Sequence, residues 1–110
     1  MNLLLAQCTP QREALAAEQL PDWLAQVPGW LPDPEAKLIG RSFEFENFYQ
    51  VMAFVNAVAE IAHAQDHHPE LMVSYSVCTV SFSTHSAQGL TPNDFICAAQ
   101  VSALPEASAA

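Results

Sequence analysis

The sequence predicts an α+β fold, a four-stranded antiparallel sheet with helices packed on one face. Two observations predict it. Helical and strand-like periodicities alternate in the order α-β-β-α-β-β-α, so strands come in adjacent pairs with a helix after each pair. The last six of these elements read as two ββα units, a weak internal duplication. The chain is also 110 residues long and 51% hydrophobic, with a mean hydropathy of +0.13, enough for one core and no more. A single domain is predicted over residues 1–104, followed by a disordered tail at 105–110.

The elements follow in order. Thr9-Pro10 reads as an N-cap with proline at the first helical position, opening a helix over `QREALAAEQL` that Pro21 ends. Trp23, Leu24 and Val27 continue as an apolar connector to Pro28-Gly29. `GWLPDPEAKLIGRSFEFE` reads as a hairpin, in which Phe43 and Phe45 share one strand face and Glu44 and Glu46 the other. Asn47 and Gln50 make a capping box for the longest helix, `FYQVMAFVNAVAEIAHAQ`. Phe48, Val51, Met52, Val55, Ala59 and Ala62 recur there at helical spacing and predict its buried face. Phe54 and Ile61 widen the apolar surface and, with free sheet edges, predict a homodimer or homotetramer. Pro69 stops this helix and places His68 just outside it. `LMVSYSVCTVSFST`, β-branched and aromatic, supplies two strands or one bent strand. Thr91-Pro92-Asn93-Asp94 caps a last helix, `DFICAAQVSAL`.

Charge removes several classes of function. A net charge of −9 with only three Lys and Arg leaves little to neutralise phosphates, so nucleic acid is excluded and an anionic membrane surface disfavoured. No apolar run approaches the roughly 20 residues that span a bilayer, and `MNLLLAQC` lacks the basic region of a signal peptide. Cys8, Cys78 and Cys97 form an odd set without a CxxC pair, which predicts free thiols in a reducing cytoplasm.

Chemistry concentrates in `HAQDHHPE`, where His63, His67 and His68 lie within six positions beside Asp66; His85 follows in `FSTHSAQGL`. His63 and His67 are four apart and would share a helix face, with His68 or His85 completing a metal site. Against a metal, there is no HExxH motif and no cysteine at ligand spacing. As surface residues, histidines suit the negative end of a helix dipole, but Asp66 in the same turn does not. Asp66 therefore predicts hydrogen bonding to an imidazole or a ligand. Asp94 has a structural role open to it in the capping box, and Ser83 and Thr84 could simply end a strand. A third reading is general acid–base catalysis by imidazoles that titrate near neutral pH.

The same residues resemble the pterin-4a-carbinolamine dehydratase family. His63, three residues, then His67-His68-Pro69, with Tyr75, His85 and Asp94 at the following spacings, match its signature. Gly29-Trp30, `RSFEFENF`, `STH` and Gly89-Leu90 agree, and the likeness runs from about Arg12 to Leu104. His63, Leu71-Met72 and Ser86 depart from the usual residues. The resemblance implies a cytoplasmic dehydratase that removes water from 4a-hydroxytetrahydropterin to give quinonoid dihydropterin, in tetrahydropterin recycling beside an aromatic amino acid hydroxylase. It implies no cofactor and no metal. By resemblance, His67 and His85 are the acid/base pair, in either order, and His68 acts at the same centre to bind and orient the pterin. Asp66, Ser83, Thr84 and Asp94 would then bind substrate or hold imidazoles. A dimerisation cofactor for a transcription factor, or a pterin-binding protein without turnover, is the alternative.

Overall fold

The computed structural model describes residues 2–109; residues 1 and 110, the outer ends of the predicted domain and tail, lie outside them. Its helices are α1 (Leu20–Leu24), α2 (Phe48–Gln65) and α3 (Pro92–Ser102). Its strands are β1 (Leu31–Pro32), β2 (Ile39–Glu44), β3 (Glu70–Val73) and β4 (Val77–Phe82). The strands form one antiparallel sheet in the order β1-β2-β4-β3. The helices cover one face, and α2 and α3 pack against β4 and each other. The predicted α+β class is the observed one.

Alternation along β4 sorts the two faces. Cys78, Val80 and Phe82 are buried under the helices, while Val77, Thr79 and Ser81 are partly exposed on the other side. β2 repeats the pattern with Ile39 and Phe43 inward; outward, Ser42 Oγ and Thr79 Oγ1 are 2.7 Å apart. Aromatic rings fill the space beneath. Phe54 lies 4.6 Å from Phe43 and 5.2 Å from Phe45 between ring centroids, and Trp30 packs on Phe82 at 5.8 Å. The Trp30 indole N–H donates to Ser102 Oγ, tying the start of the hairpin to the end of α3. Gly29 turns the chain into that hairpin at φ 91°, and a Cβ there would meet the Arg41 guanidinium at 3.2 Å.

Three sequence expectations are corrected. Thr9-Pro10 does not open a helix: helical structure begins with a 3-10 turn at Ala17–Gln19, and Pro21 lies in the first turn of α1 instead of ending a helix. The segment before it is held extended by tertiary bonds that outweigh its helix propensity. Thr9 N–H donates to Asn93 Oδ1, Asn93 Nδ2 donates to the Thr9 carbonyl, and Leu15 N–H donates to the Leu90 carbonyl.

On α2 the buried stripe is Val51, Phe54, Val58 and Ala62. Phe54, expected to widen the surface, is central, whereas Phe48 and Ala59 are exposed and Met52 and Val55 only partly covered. Two apolar stripes run along this helix, and periodicity alone does not say which one meets the sheet. The third correction concerns the tail. Pro105–Ala109 form a 3-10 turn against α2, with Ala107 packed on the core, where disorder was expected.

Candidate active site

α2 ends before His67. Asp66 takes the left-handed conformation (φ 50°, ψ 43°); His67 N–H donates to the Ala62 carbonyl and Asp66 N–H to the His63 carbonyl. An aspartate tolerates this conformation better than most residues, which accounts for an acid at the negative end of a helix. Of the two partners expected for Asp66, an imidazole or a ligand, no imidazole among the described residues bonds to it. The turn also parts His63 from His67. His63 stays exposed on the helix, whereas His67 lies beyond the turn and is largely covered.

His67 turns inward. Its ring stacks on Phe82 at 5.9 Å and 11°, and Nε2 lies 2.6 Å from Asp94 Oδ1. Asp94 is wholly buried. It serves α3 as the third residue of the capping box, its Oδ2 accepting Thr91 N–H at 2.9 Å. Thr84 Oγ donates to the same Oδ2 at 2.8 Å, and Thr84 Oγ1 lies 2.7 Å from Thr91 Oγ1. A carboxylate only accepts, so the direction of the chain is set: Thr91 hydroxyl to Thr84 hydroxyl to Asp94, with His67 donating from Nε2. No buried side-chain polar atom among the described residues lacks a partner.

Burial works against the charged form of His67, but the hydrogen bond and charge of Asp94 outweigh it, with help from Cys8 and Asp66. The imidazole pKa is therefore raised above its ordinary value. Folded His67 thus holds its proton more tightly than the unfolded chain does. Its contribution to stability is fully present below pH ~6.5 and is lost as pH rises through the folded value. Urea midpoints of the wild type and His67→Asn, measured across pH, should differ most on the acid side and converge as pH rises. A gap independent of pH would contradict the raised value.

His68 goes the other way. Extended backbone before Pro69 sends neighbouring side chains to opposite sides, so His68 leaves on the uncovered face of the sheet with Glu70. Ser83 and Thr84 repeat this alternation at the end of β4, with Thr84 buried and Ser83 exposed. The sequence-predicted residues therefore divide between two clefts. One, of about 280 Å³, is lined by His67, Asp66 and Thr84 together with Cys8, Gln65 and Asn93. The other, of about 220 Å³, is lined by His68, His85, Ser83, Ser81, Glu70 and Leu38. Between them lies a shallower depression that includes Ser83, Thr84, His85 and Lys37. Thr84 borders the first cleft, and Ser83 and His85 border the second. His67, His68 and His85, expected at one centre, are divided between two clefts joined along Ser83–His85. Among the described residues, no group of three His, Cys, Asp or Glu side chains is arranged to hold a metal ion.

Sequence reasoning missed the N-terminal contribution. Cys8 and Gln11 reach the first cleft only because their segment is extended, and Asn93 holds that segment in place. No spacing in the sequence signals these contacts.

The family model for pterin 4 alpha carbinolamine dehydratase matches residues 13–104. The chain belongs to this family. A Stenotrophomonas maltophilia (strain R551-3) protein named "Putative pterin-4-alpha-carbinolamine dehydratase" is 49% identical over 107 residues, 94% of this chain and 92% of its own. A Xylella fastidiosa (strain 9a5c) protein of the same name is 45% identical over 109 residues, covering 96% and 94%. The crystal structure of a transcriptional coactivator/pterin dehydratase from Brucella melitensis superposes with a TM-score of 0.79 at 31% identity, over 83% of this chain and 97% of that one. A pterin dehydratase-like protein described as a RuBisCO assembly factor in the alpha-carboxysome shares the fold, at TM-score 0.61 and 19% identity, over 71% of this chain and 90% of its own. No helix among the described residues is long and apolar enough to cross a membrane.

Proposed function

We propose that the protein dehydrates a 4a-hydroxytetrahydropterin to the quinonoid dihydropterin by histidine acid–base catalysis, within tetrahydropterin recycling. The observation that carries this reading is the convergence of titratable groups on Ser83–His85. His67, backed by a buried carboxylate, stands on one side, and His68 and His85 share a cleft on the other. The reaction breaks the C4a–O bond and removes the N5 proton. Hydroxide leaves poorly, so an acid must deliver a proton to it while a base takes the one from N5.

His67 suits the acid, because Asp94 favours its protonated form. His85 is exposed, and its side chain makes no hydrogen bond among the described residues, so its ring is free to accept the N5 proton. His68, beside His85, binds and orients the pterin. Ser83 offers a hydroxyl to the ring edge, while Thr84 and Asp94 hold His67 in place. Asp66 adds negative charge at the mouth of the first cleft. The decisive experiment follows the decay of freshly generated 4a-hydroxytetrahydropterin. Purified protein should accelerate it, and should do so equally after treatment with a chelator. A rate no faster than buffer would refute the dehydratase, and tight pterin binding without turnover would establish the binding-protein alternative.

The surface supports association with a second copy of the chain. β3 is an edge strand whose Met72 is 74% exposed, and Tyr75 in the adjoining turn is 69% exposed. On α2, Phe48 and Tyr49 are exposed at the start of the uncovered apolar stripe. A homodimer or homotetramer is expected, and light scattering at micromolar concentration tests it. A lone species at the monomer mass of 12.0 kDa would rule it out. Association of this kind also suits the coactivator role named for the Brucella structure.

A further inference from the structure

The first cleft contains a second kind of chemistry that dehydration does not use. Cys8 Sγ and Cys97 Sγ lie 3.7 Å apart although the residues are 89 positions apart in the chain. Cys97 is fully buried in α3, whereas Cys8 is partly exposed and lines the cleft beside His67. Cys78, the third thiol, is buried in β4 on the inner face of the sheet.

We propose that Cys8 and Cys97 are a peroxide-reactive thiol pair, with Cys8 as the attacking sulfur and Cys97 as the resolving one. The two thiols differ in character. A hydrogen bond from Cys97 favours the Cys8 thiolate; burial opposes it, and the positive charge of His67 favours it further, so that the net shift is downward. The same contact and burial push the Cys97 thiol up. Either sulfur can donate across the contact, and a Cys8 S–H also has the Asn93 carbonyl at 3.7 Å; of the two, Cys8 is the one whose thiolate is favoured. Burial alone pushes up the Cys78 thiol.

The chemistry balances with a hydroperoxide as oxidant. The Cys8 thiolate attacks one oxygen of hydrogen peroxide and the O–O bond breaks. The departing hydroxide takes up a proton and leaves as water, and Cys8 becomes a sulfenic acid. The Cys97 sulfur then attacks the Cys8 sulfur. The hydroxyl leaves with the Cys97 proton as a second water, and the S–S bond forms. Two thiols have lost two electrons, and the peroxide has gained them.

The geometry permits the last step. A disulfide needs its sulfurs about 2.05 Å apart, so the pair must close by about 1.7 Å. Cys97 is fixed in α3, but Cys8 sits in an extended segment with no helix or ladder around it. That segment is held by separate bonds, among them Cys8 N–H to Gln65 Oε1 and Thr9 to Asn93. Closure of the pair would leave no Cys8 thiolate to favour the charged form of His67, and so lower the pKa of that imidazole.

The test treats the reduced full-length protein with hydrogen peroxide, alkylates the remaining thiols and maps the peptides by mass. The expected product is an intramolecular Cys8–Cys97 link lighter by two hydrogen atoms, with Cys78 still alkylated. In untreated protein, iodoacetamide should modify Cys8 at least about tenfold faster than Cys78. In Cys97→Ser, with Cys97→Ala as a second variant should serine disturb the core, a dimedone adduct should accumulate on Cys8. Oxidation of the wild type should lower the His67 midpoint in an NMR titration. Equal reactivity of Cys8 and Cys78 would overturn the proposal. So would a Cys8 sulfinic acid beside a freely alkylated Cys97, or links only between chains. None of these readouts requires dehydratase activity.

Discussion

Replacing Asp94 with alanine should cost about 3–5 kcal/mol of folding stability, the range for removing one partner of a buried, hydrogen-bonded charge pair. The carboxylate is wholly buried and accepts from the Thr91 amide, the Thr84 hydroxyl and His67 Nε2. Alanine leaves all three donors without their acceptor at a wholly buried position, and it removes the acid from the cap of α3. His67 would also lose the group that favours its charge. Denaturant unfolding checks the first effect, and an NMR titration of His67 in protein that remains folded checks the second. A loss below about 1 kcal/mol, the size of a surface cap, would show that the buried network carries little weight.

His85→Ala should lower kcat by about 10²–10⁴-fold with the fold intact, the usual contribution of an acid–base group. The ring is exposed and the fold gains no side-chain hydrogen bond from it. His67 calls for a gentler substitution. His67→Ala would leave Asp94 Oδ1 without its donor at a cost of about 1–3 kcal/mol, mixing stability with catalysis. His67→Asn offers an N–H of its own and should lose activity with a smaller loss of stability. Its pH–rate profile should lose the limb that belongs to His67, while His85→Ala retains it. Full activity in His85→Ala, with circular dichroism unchanged, would remove this residue from the mechanism. His63 lies exposed on α2 and lines neither cleft, so it has no part in either comparison.

Much of this arrangement was legible in the sequence, because its signals are local. The start of α2 followed from Asn47, and that of α3 from Thr91-Pro92, with Asp94 completing the second cap. The faces of β2 followed from alternation in `RSFEFE`, whereas `LMVSYSVCTVSFST` was legible only as two strands or one bent strand. Other features depend on contacts between distant segments, which a one-dimensional pattern does not contain. The stretch from Thr9 to Leu15 has helix-forming residues but bonds to Asn93 and Leu90. Of the two apolar stripes on α2, the one bearing Phe54 faces the sheet because Phe43 and Phe45 wait there. The histidines were found by spacing, but their division between two clefts required the turn at Asp66 and the pleat after it.

The double duty of Asp94 bears on how descendants of such a protein can change. A lineage that abandoned the chemistry would still be penalised for losing this acid, since α3 and two buried threonines depend on it. An aspartate retained at this position says little about whether the reaction survives. His85 is under no such obligation, because its ring is exposed and makes no side-chain hydrogen bond among the described residues. Where drift has erased the activity, this exposed imidazole should vanish first, while the buried acid persists as a relic of architecture.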